Sequence, residues 1–383
     1  MENFDWKSTI SLNILKLKAV GLWPKEDETY KRNLYSIWTG ISVICFIFAH
    51  NFFQAVNIIF ILDDLEAVTA TIFLNLSTML GLLKSYYMIK NMPILKHLMV
   101  TLNSDTFKPK NLAQQQLVEP DLRFWKLIYT LYWGMSLGAI FFWATFPILD
   151  KSIKDHRLPF MAWYPFDTTT SPAYQITYIY QIVSVIFVAT ATLSVDTLIA
   201  ALNMYIGAQL DILCDDLRHL AEGPNFDSKL LDCVRHHKGI LKFAENSNKF
   251  FDMIVFLQFF ISATSIGITL FQLTVVVPFS SEFFSLLSFE LAIIVEIFMY
   301  CWFGNEVEEK SNNICYAVFE ADWTDAPIET KRNMIIFVAR CQRPLKMSAL
   351  KLFYLSVETF MKILRTSWSY FTLLNQFSSS RED

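Results

Sequence analysis

Apolar residues in this chain gather into runs of membrane length, separated by polar connections that carry most of the charge. There are seven such runs: Leu34–Phe60, Leu65–Met88, Leu127–Leu149, Tyr174–Leu202, Phe251–Val277, Phe283–Gly304 and one within Ala349–Phe377. Each is long enough to cross a hydrocarbon core of about 30 Å as a helix. The expected fold is an all-α membrane protein with seven transmembrane helices. The last run differs from the others. Its Lys351, Glu358, Lys362, Arg365, Ser369, Thr372 and Gln376 fall on one narrow face at helical spacing. Lipid cannot solvate such a stripe, so it must meet water, protein or an ion path. A helix packed on its neighbours and a pore-lining helix both meet that requirement.

The connections sort by charge. Six Lys or Arg fall in each of the amino-terminal segment, Lys90–Lys126, Gly207–Lys249 and Asn305–Met347. The alternate set has three in Asp150–Pro172 and then only Arg381. Twenty-four against four predicts a cytoplasmic amino terminus and an extracellular carboxyl terminus. That is opposite to a G-protein-coupled receptor. Ser8–Leu22 reads as an amphipathic helix in the membrane interface, and Lys84, near the end of its span, as a snorkelling lysine.

Composition narrows the function classes. Of 383 residues, 54% are hydrophobic and 18% charged, with a net charge of −4 and no basic tract, so nucleic acid is not an expected partner. All six cysteines lie in spans or in connections placed in the cytosol, which predicts no disulfide framework. His236-His237 reads as a solvated loop pair rather than a metal site. No phosphate-binding loop, nucleophile signature or metal cluster is present, and no repeat of the kind transporters carry, so neither an enzyme nor a cofactor is expected.

From Tyr300-Cys301-Trp302-Phe303-Gly304-Asn305-Glu306 onward the chain resembles the insect odorant receptors. The resemblance continues through Trp323, Arg340-Cys341-Gln342-Arg343-Pro344-Leu345 and Leu355-Ser356-Val357-Glu358-Thr359-Phe360 to Ser367-Trp368-Ser369-Tyr370. Ser369-Tyr370 followed by Gln376-Phe377 also resembles the terminal signature of gustatory receptors, whereas the first two blocks resemble the odorant branch. The fourth-to-fifth connection is shorter than in the family's co-receptor, so the chain resembles an odour-tuning subunit.

The resemblance implies a non-selective cation channel opened by odorant. It would be a hetero-oligomer, a tetramer, formed with the odorant receptor co-receptor in the plasma membrane of olfactory neuron dendrites. The ligands would be small apolar volatiles. The implied layout is an interfacial segment at 1–33, a six-span bundle at 34–304, a helical cytoplasmic anchor at 305–347, the pore-lining helix at 348–377 and an extracellular tail at 378–383. The implied odorant pocket lies in the outer half of the bundle among spans two, three, four and six. Depth assigns it Ile72, Phe73, Leu76, Phe141, Phe142, Thr145, Tyr178, Gln181, Val185, Leu286 and Phe289, with Tyr178 or Gln181 as the polar contact. The implied gate is Leu373 and Phe377, with Gln376 beside it, in a pore segment starting at Ser369. Tyr300, Gly304, Asn305, Trp323, Arg340, Pro344, Ser356, Glu358 and Tyr370 carry the signature. Two other readings stay open: a self-assembling channel like the gustatory receptors, and a chemoreceptor signalling through a G protein.

Overall fold

The structure, a computed structural model, describes residues 4–24, 30, 33–63, 65–222, 225–324 and 326–382. In chain order its elements are α1 (Trp6–Thr9), α2 (Ser11–Ala19), α3 (Leu34–Phe60), α4 (Leu65–Lys90), α5 (Met92–Leu102), α6 (Leu112–Leu149), α7 (Ala173–Arg218), α8 (Phe226–Val275), α9 (Ser281–Glu320) and α10 (Ile328–Cys341). A small antiparallel hairpin follows, β1 (Ser348–Ala349) and β2 (Phe353–Tyr354), and then α11 (Val357–Glu382). Six helices among the described residues, α3, α4 and α6 to α9, are long and apolar enough to cross a membrane. The chain is an all-helical membrane protein. Large apolar side chains such as Ile59, Leu137, Phe141, Ile176, Ile179 and Phe260 are exposed on these helices, as lipid-facing surface requires.

Several elements run past the boundaries that hydropathy suggests. Gly207–Lys249 and Asn305–Met347, read as connections, are mostly helix: α7 continues to Arg218, α8 begins at Phe226, and α9 continues to Glu320. Leu210, Leu213 and Leu217 on α7 and Leu230, Cys233 and Ile240 on α8 are buried there at steps of three, four and seven residues. Those extensions are therefore amphipathic, in the manner of water-soluble helices, and a hydropathy run cannot register them. Likewise α5 and the start of α6 occupy the connection before the third span; Pro93 sits in the first turn of α5, where a missing N–H costs little. The last run is also interrupted. Leu350 and Lys351 have φ of 51° and 57°, and the hairpin precedes a helix whose first turn is capped by Ser356 Oγ, 3.2 Å from the Thr359 N–H. Lys351 thus lies off the polar stripe, and the helix extends beyond 377 to Glu382.

Helix α7 is the axis of the bundle. From Val195 to Leu210 nearly every residue is buried on all sides, and Ala200, Ala201, Gly207 and Ala208 let neighbouring helices approach closely. Within this core lies the strongest correction to the sequence reading. Lys84 does not snorkel. It is 1% exposed, and its Nζ lies 2.6 Å from Asp196 of α7 and 2.8 Å from Glu296 of α9. Asp196 also accepts hydrogen bonds from the hydroxyls of Tyr132 of α6, at 2.9 Å, and Tyr300 of α9, at 2.6 Å. A charge this far from water persists only when paired and hydrogen-bonded, and here four helices supply the partners.

The end of the bundle bearing α1 and α2, called proximal here, is built as a soluble domain would be. Trp6 is fully buried; its indole donates to the Phe107 carbonyl, and its own carbonyl accepts from Tyr205. The segment expected to lie in the membrane interface thus docks on protein, although Leu12 and Leu15 stay exposed. Lys310 joins α9 to α6 and α7 through Asp121 and, at 2.6 Å, Asp211. His236 and His237 are not a solvated loop pair. Both are buried on α8: His236 Nε2 lies 2.9 Å from Gln209 Oε1, and the His237 ring stands edge-on to Phe337 at 5.4 Å. Turned inward on a helix, they follow the same amphipathic pattern as Cys233 and Ile240.

Two predictions follow from these buried groups. Lys84→Met leaves two buried carboxylates without their cation and should destabilise the fold by about 3–5 kcal/mol. Thermal unfolding in detergent and the level of chain at the cell surface would show this; a wild-type melting profile would contradict it. Burial also holds the His236 and His237 imidazoles down at about 4 each. The unfolded chain, with histidines near 6.5, therefore binds more protons between these values, and stability must rise with pH there. Stability should be undiminished above about pH 6.5 and fall as pH drops toward 4, with a shallower slope for His236→Gln/His237→Gln.

Candidate functional site

A cavity of ≈ 130 Å³ lies beside the buried ion cluster. Its walls come from α4 (Leu74 to Lys84), α6 (Tyr132 to Trp143), α7 (Val185 to Leu193), α8 (Gln258 to Ser265) and α9 (Phe289 to Glu296). Most of the lining is aliphatic or aromatic. Polar groups concentrate toward the proximal floor, where Lys84, Glu296, Thr192 and Gln258 reach the surface of the cavity. Toward the opposite, distal end, three rings close it: Phe289 lies 5.3 Å from Phe73 and 5.4 Å from Trp143. Beyond this cap is a second cavity of ≈ 70 Å³, lined among others by Gln54, Thr71, Arg157 and Met161. Leu74 and Trp143 line both cavities and so form the partition between them.

The positions singled out by depth divide into three groups. Val185 and Phe289 line the main cavity, and Phe73 lines the smaller one. Phe73 and Leu286 are buried with Ile268 in a satellite core against which Ile72 packs, while Leu76 is half-buried. The others face elsewhere. Phe141 is exposed, Phe142 stacks on Phe284 at 5.9 Å, and the Thr145 hydroxyl donates to the Phe141 carbonyl of its own helix. Tyr178 donates to the Ala144 carbonyl. Gln181 accepts from the Phe160 N–H and donates to the Phe160 carbonyl, both at 3.0 Å, and to the Tyr164 hydroxyl.

Gln181 therefore fastens the Asp150–Pro172 connection into the bundle. Phe160 enters between His50 and Trp143, with ring centroids 5.8 Å from each. This fills the distal volume where a pocket was expected, so the open space begins deeper. It also draws in α8, which the sequence reading left out.

Helix α11 lies along α8. Ile363 and Ser367 are buried, and a Cβ on Gly267 of α8 would stand 2.7 Å from the Tyr370 Cβ and 2.9 Å from the Ser367 carbonyl. Only glycine allows that approach. Glu358 pairs with Lys362 at 2.6 Å, one turn away. Ser369, Leu373 and Gln376 are exposed on the side of α11 away from its neighbours. Phe377 belongs to the same helix, but its side chain lies outside the described residues.

Comparison with known proteins decides the family. The profile described as "7tm Odorant receptor" matches residues 64–368. The chain belongs to the insect odorant receptor family. Odorant receptor Or1 of Anopheles gambiae is 23% identical, covering 98% of this chain and 97% of its own length. Odorant receptor 46a, isoform A, of Drosophila melanogaster is 20% identical over 95% and 96% respectively. The solved structure of the olfactory receptor OR5 of Machilis hrabei in complex with eugenol has the same fold, with a TM-score of 0.87, 20% identity and coverage of 97% and 98%. As an odorant receptor the chain belongs with receptors and channels rather than enzymes.

Several signature residues have structural roles in this odorant receptor. Tyr300 holds Asp196. A Cβ on Gly304 would meet Leu355 Cβ at 2.3 Å and the Leu355 carbonyl at 2.6 Å, so the hairpin can seat only against glycine. Ser356 caps α11, and Asn305 donates to Glu309. Trp323 packs half-buried against the core, Pro344 is half-buried, and Arg340 is exposed. The residues missed in the sequence, Asp196, Glu296 and Gln258, did carry a signal. Ionisable and amide groups inside apolar spans are costly, and for that reason mark function or architecture.

Proposed function

We propose that this odorant receptor is an odour-tuning subunit: it binds a small volatile in the cavity described above and, with the family's co-receptor, forms a non-selective cation channel. The cavity carries this reading. It is enclosed by five helices, lined mainly by apolar side chains, and provided with a few polar groups at one end, as small-molecule sites are. Its size is of the order of the roughly 150 Å³ engineered cavity that accommodates benzene. The olfactory receptor of Machilis hrabei was solved with eugenol bound, which supports a small volatile as ligand here. In this reading the amino terminus is cytoplasmic and the carboxyl terminus extracellular. The assembly is a heterotetramer in the plasma membrane of olfactory neuron dendrites, with residues 305–347 holding subunits together.

The pore portion of α11 begins at Ser369. Leu373 and Phe377 form an apolar gate, with Gln376 beside it, that excludes ions by dewetting. The exposure of Ser369, Leu373 and Gln376 supports the assignment, because an exposed mixed face on a long helix has to meet either subunits or water.

Volatile-evoked currents should appear when the chain is expressed together with the co-receptor and be absent without it. Robust current from this chain alone would favour self-assembly as in gustatory receptors, and responses abolished by blocking G proteins would favour the third reading. Leu373→Ala should raise the basal current of the assembled channel before any ligand is added; an unchanged closed-state leak would remove Leu373 from the gate.

A further inference from the structure

The proximal floor of the cavity is too polar for a purely hydrocarbon ligand. Gln258 of α8 lines the cavity and is 4% exposed. Its Nε2 donates to Ser262 Oγ at 2.8 Å, whereas its Oε1 has no hydrogen-bond partner among the described residues. The hydroxyls of Thr192 and Ser265, which also line the cavity, are likewise unpartnered among the described residues. An amide oxygen buried without a donor is costly, because it has given up water for nothing. Three such groups around one space are a pattern that a ligand can complete.

Depth places Gln258 and Thr192 together with the ion cluster. Ile268 of α8 and Leu286 of α9 pack against each other in the satellite core. The two helices run antiparallel through a short turn, so counting ten residues from each contact (268 − 258 and 296 − 286) brings Gln258 level with Glu296. At that level the fixed charges are two carboxylates, Asp196 and Glu296, against the one ammonium of Lys84. The donors of Lys84 are directed at those carboxylates. The floor therefore presents one unpartnered group that only accepts, Gln258 Oε1. It also presents the Thr192 hydroxyl, which both donates and accepts, whereas the Ser265 hydroxyl lines the cavity nearer the aromatic cap.

We propose that this floor is a hydrogen-bonding subsite that selects a small alcohol or phenol. The ligand O–H donates to Gln258 Oε1, its oxygen accepts from Thr192, and its hydrocarbon body lies against Val188, Phe289 and Trp143. Ethers and hydrocarbons of the same size fill the cavity but leave Gln258 unsatisfied. A site that hydrogen-bonds a hydroxyl rejects the analogue lacking it because its own buried polar group is then left bare. This inference rests on the cavity being the odorant site, and it adds the ligand class and two positions, Gln258 and Thr192, that the depth mapping did not contain.

The test is a dose-response panel on the chain co-expressed with the co-receptor, built from sets matched in heavy-atom count. One set is hexanol, methyl pentyl ether and heptane; another is benzyl alcohol, anisole and ethylbenzene; further skeletons extend the panel. Among the skeletons that evoke current, the hydroxyl member should be active at concentrations roughly tenfold or more below its ether and hydrocarbon partners. Gln258→Met, close in shape but without the amide, should remove most of that preference, with the surface level measured alongside so that a folding defect is read separately. Thr192→Val should weaken the hydroxyl response in the same selective way. Equal potency across the members of a set, or an equal shift of all members in Gln258→Met, would overturn the subsite while leaving the cavity as the odorant site. Silence toward the entire panel would overturn the odorant-site reading itself, and the subsite with it.

Discussion

A lysine ammonium held away from water dictates how this bundle assembles. Lys84 belongs to α4, its carboxylates to α7 and α9, and the tyrosine that steadies Asp196 from a third direction to α6. No pair of these helices can satisfy the charge alone. Such an ion cluster adds little net stability over a well-packed apolar core, because desolvation offsets most of the attraction. Its effect is on alternatives. A helix shifted by one turn, about 5.4 Å, would leave a bare charge in an apolar interior, so the cluster fixes register among helices whose apolar surfaces would otherwise slide.

The six long apolar helices were legible in the sequence because lipid imposes one requirement on length and composition. Their ends were not. Past the membrane-length core, α7, α8 and α9 change from all-round apolar to one-sided, and that change looks like a loop to a hydropathy reading. Lys84 and the His236-His237 pair show a second limit. A charged or polar residue near the end of an apolar run has two opposite fates, headgroup or core, and only its three-dimensional partners decide which. The family signature was legible as a pattern but silent about mechanism. Tyr300, Gly304 and Ser356 turn out to hold an aspartate, admit a backbone and cap a helix.

The candidate site was half legible. Four of the cavity's five walls come from spans two, three, four and six, and Val185 and Phe289 line it. Tyr178 and Gln181 lie away from the cavity: Tyr178 bonds the Ala144 carbonyl, and Gln181 holds the Asp150–Pro172 connection, which folds back into the bundle. Phe160 occupies the distal volume, and Gln181 holds it there. A connection that is polar in composition can still carry one buried aromatic, and that single ring moves the open space toward the ion cluster. The same displacement gives the cavity its two unlike ends, a cap of three aromatic rings and a floor of amide, hydroxyl and charge.

Helix α8 lines this cavity at Gln258 and meets α11 at Gly267, where no side chain separates the two backbones. The stretch between these points is unbroken helix, with nine residues (267 − 258) rising about 13 Å. Side chains absorb small displacements by changing rotamer, and a backbone-to-backbone contact has no such slack. Any tilt of α8 at the cavity would therefore bear on α11 at a contact where no side chain on α8 can take up the movement.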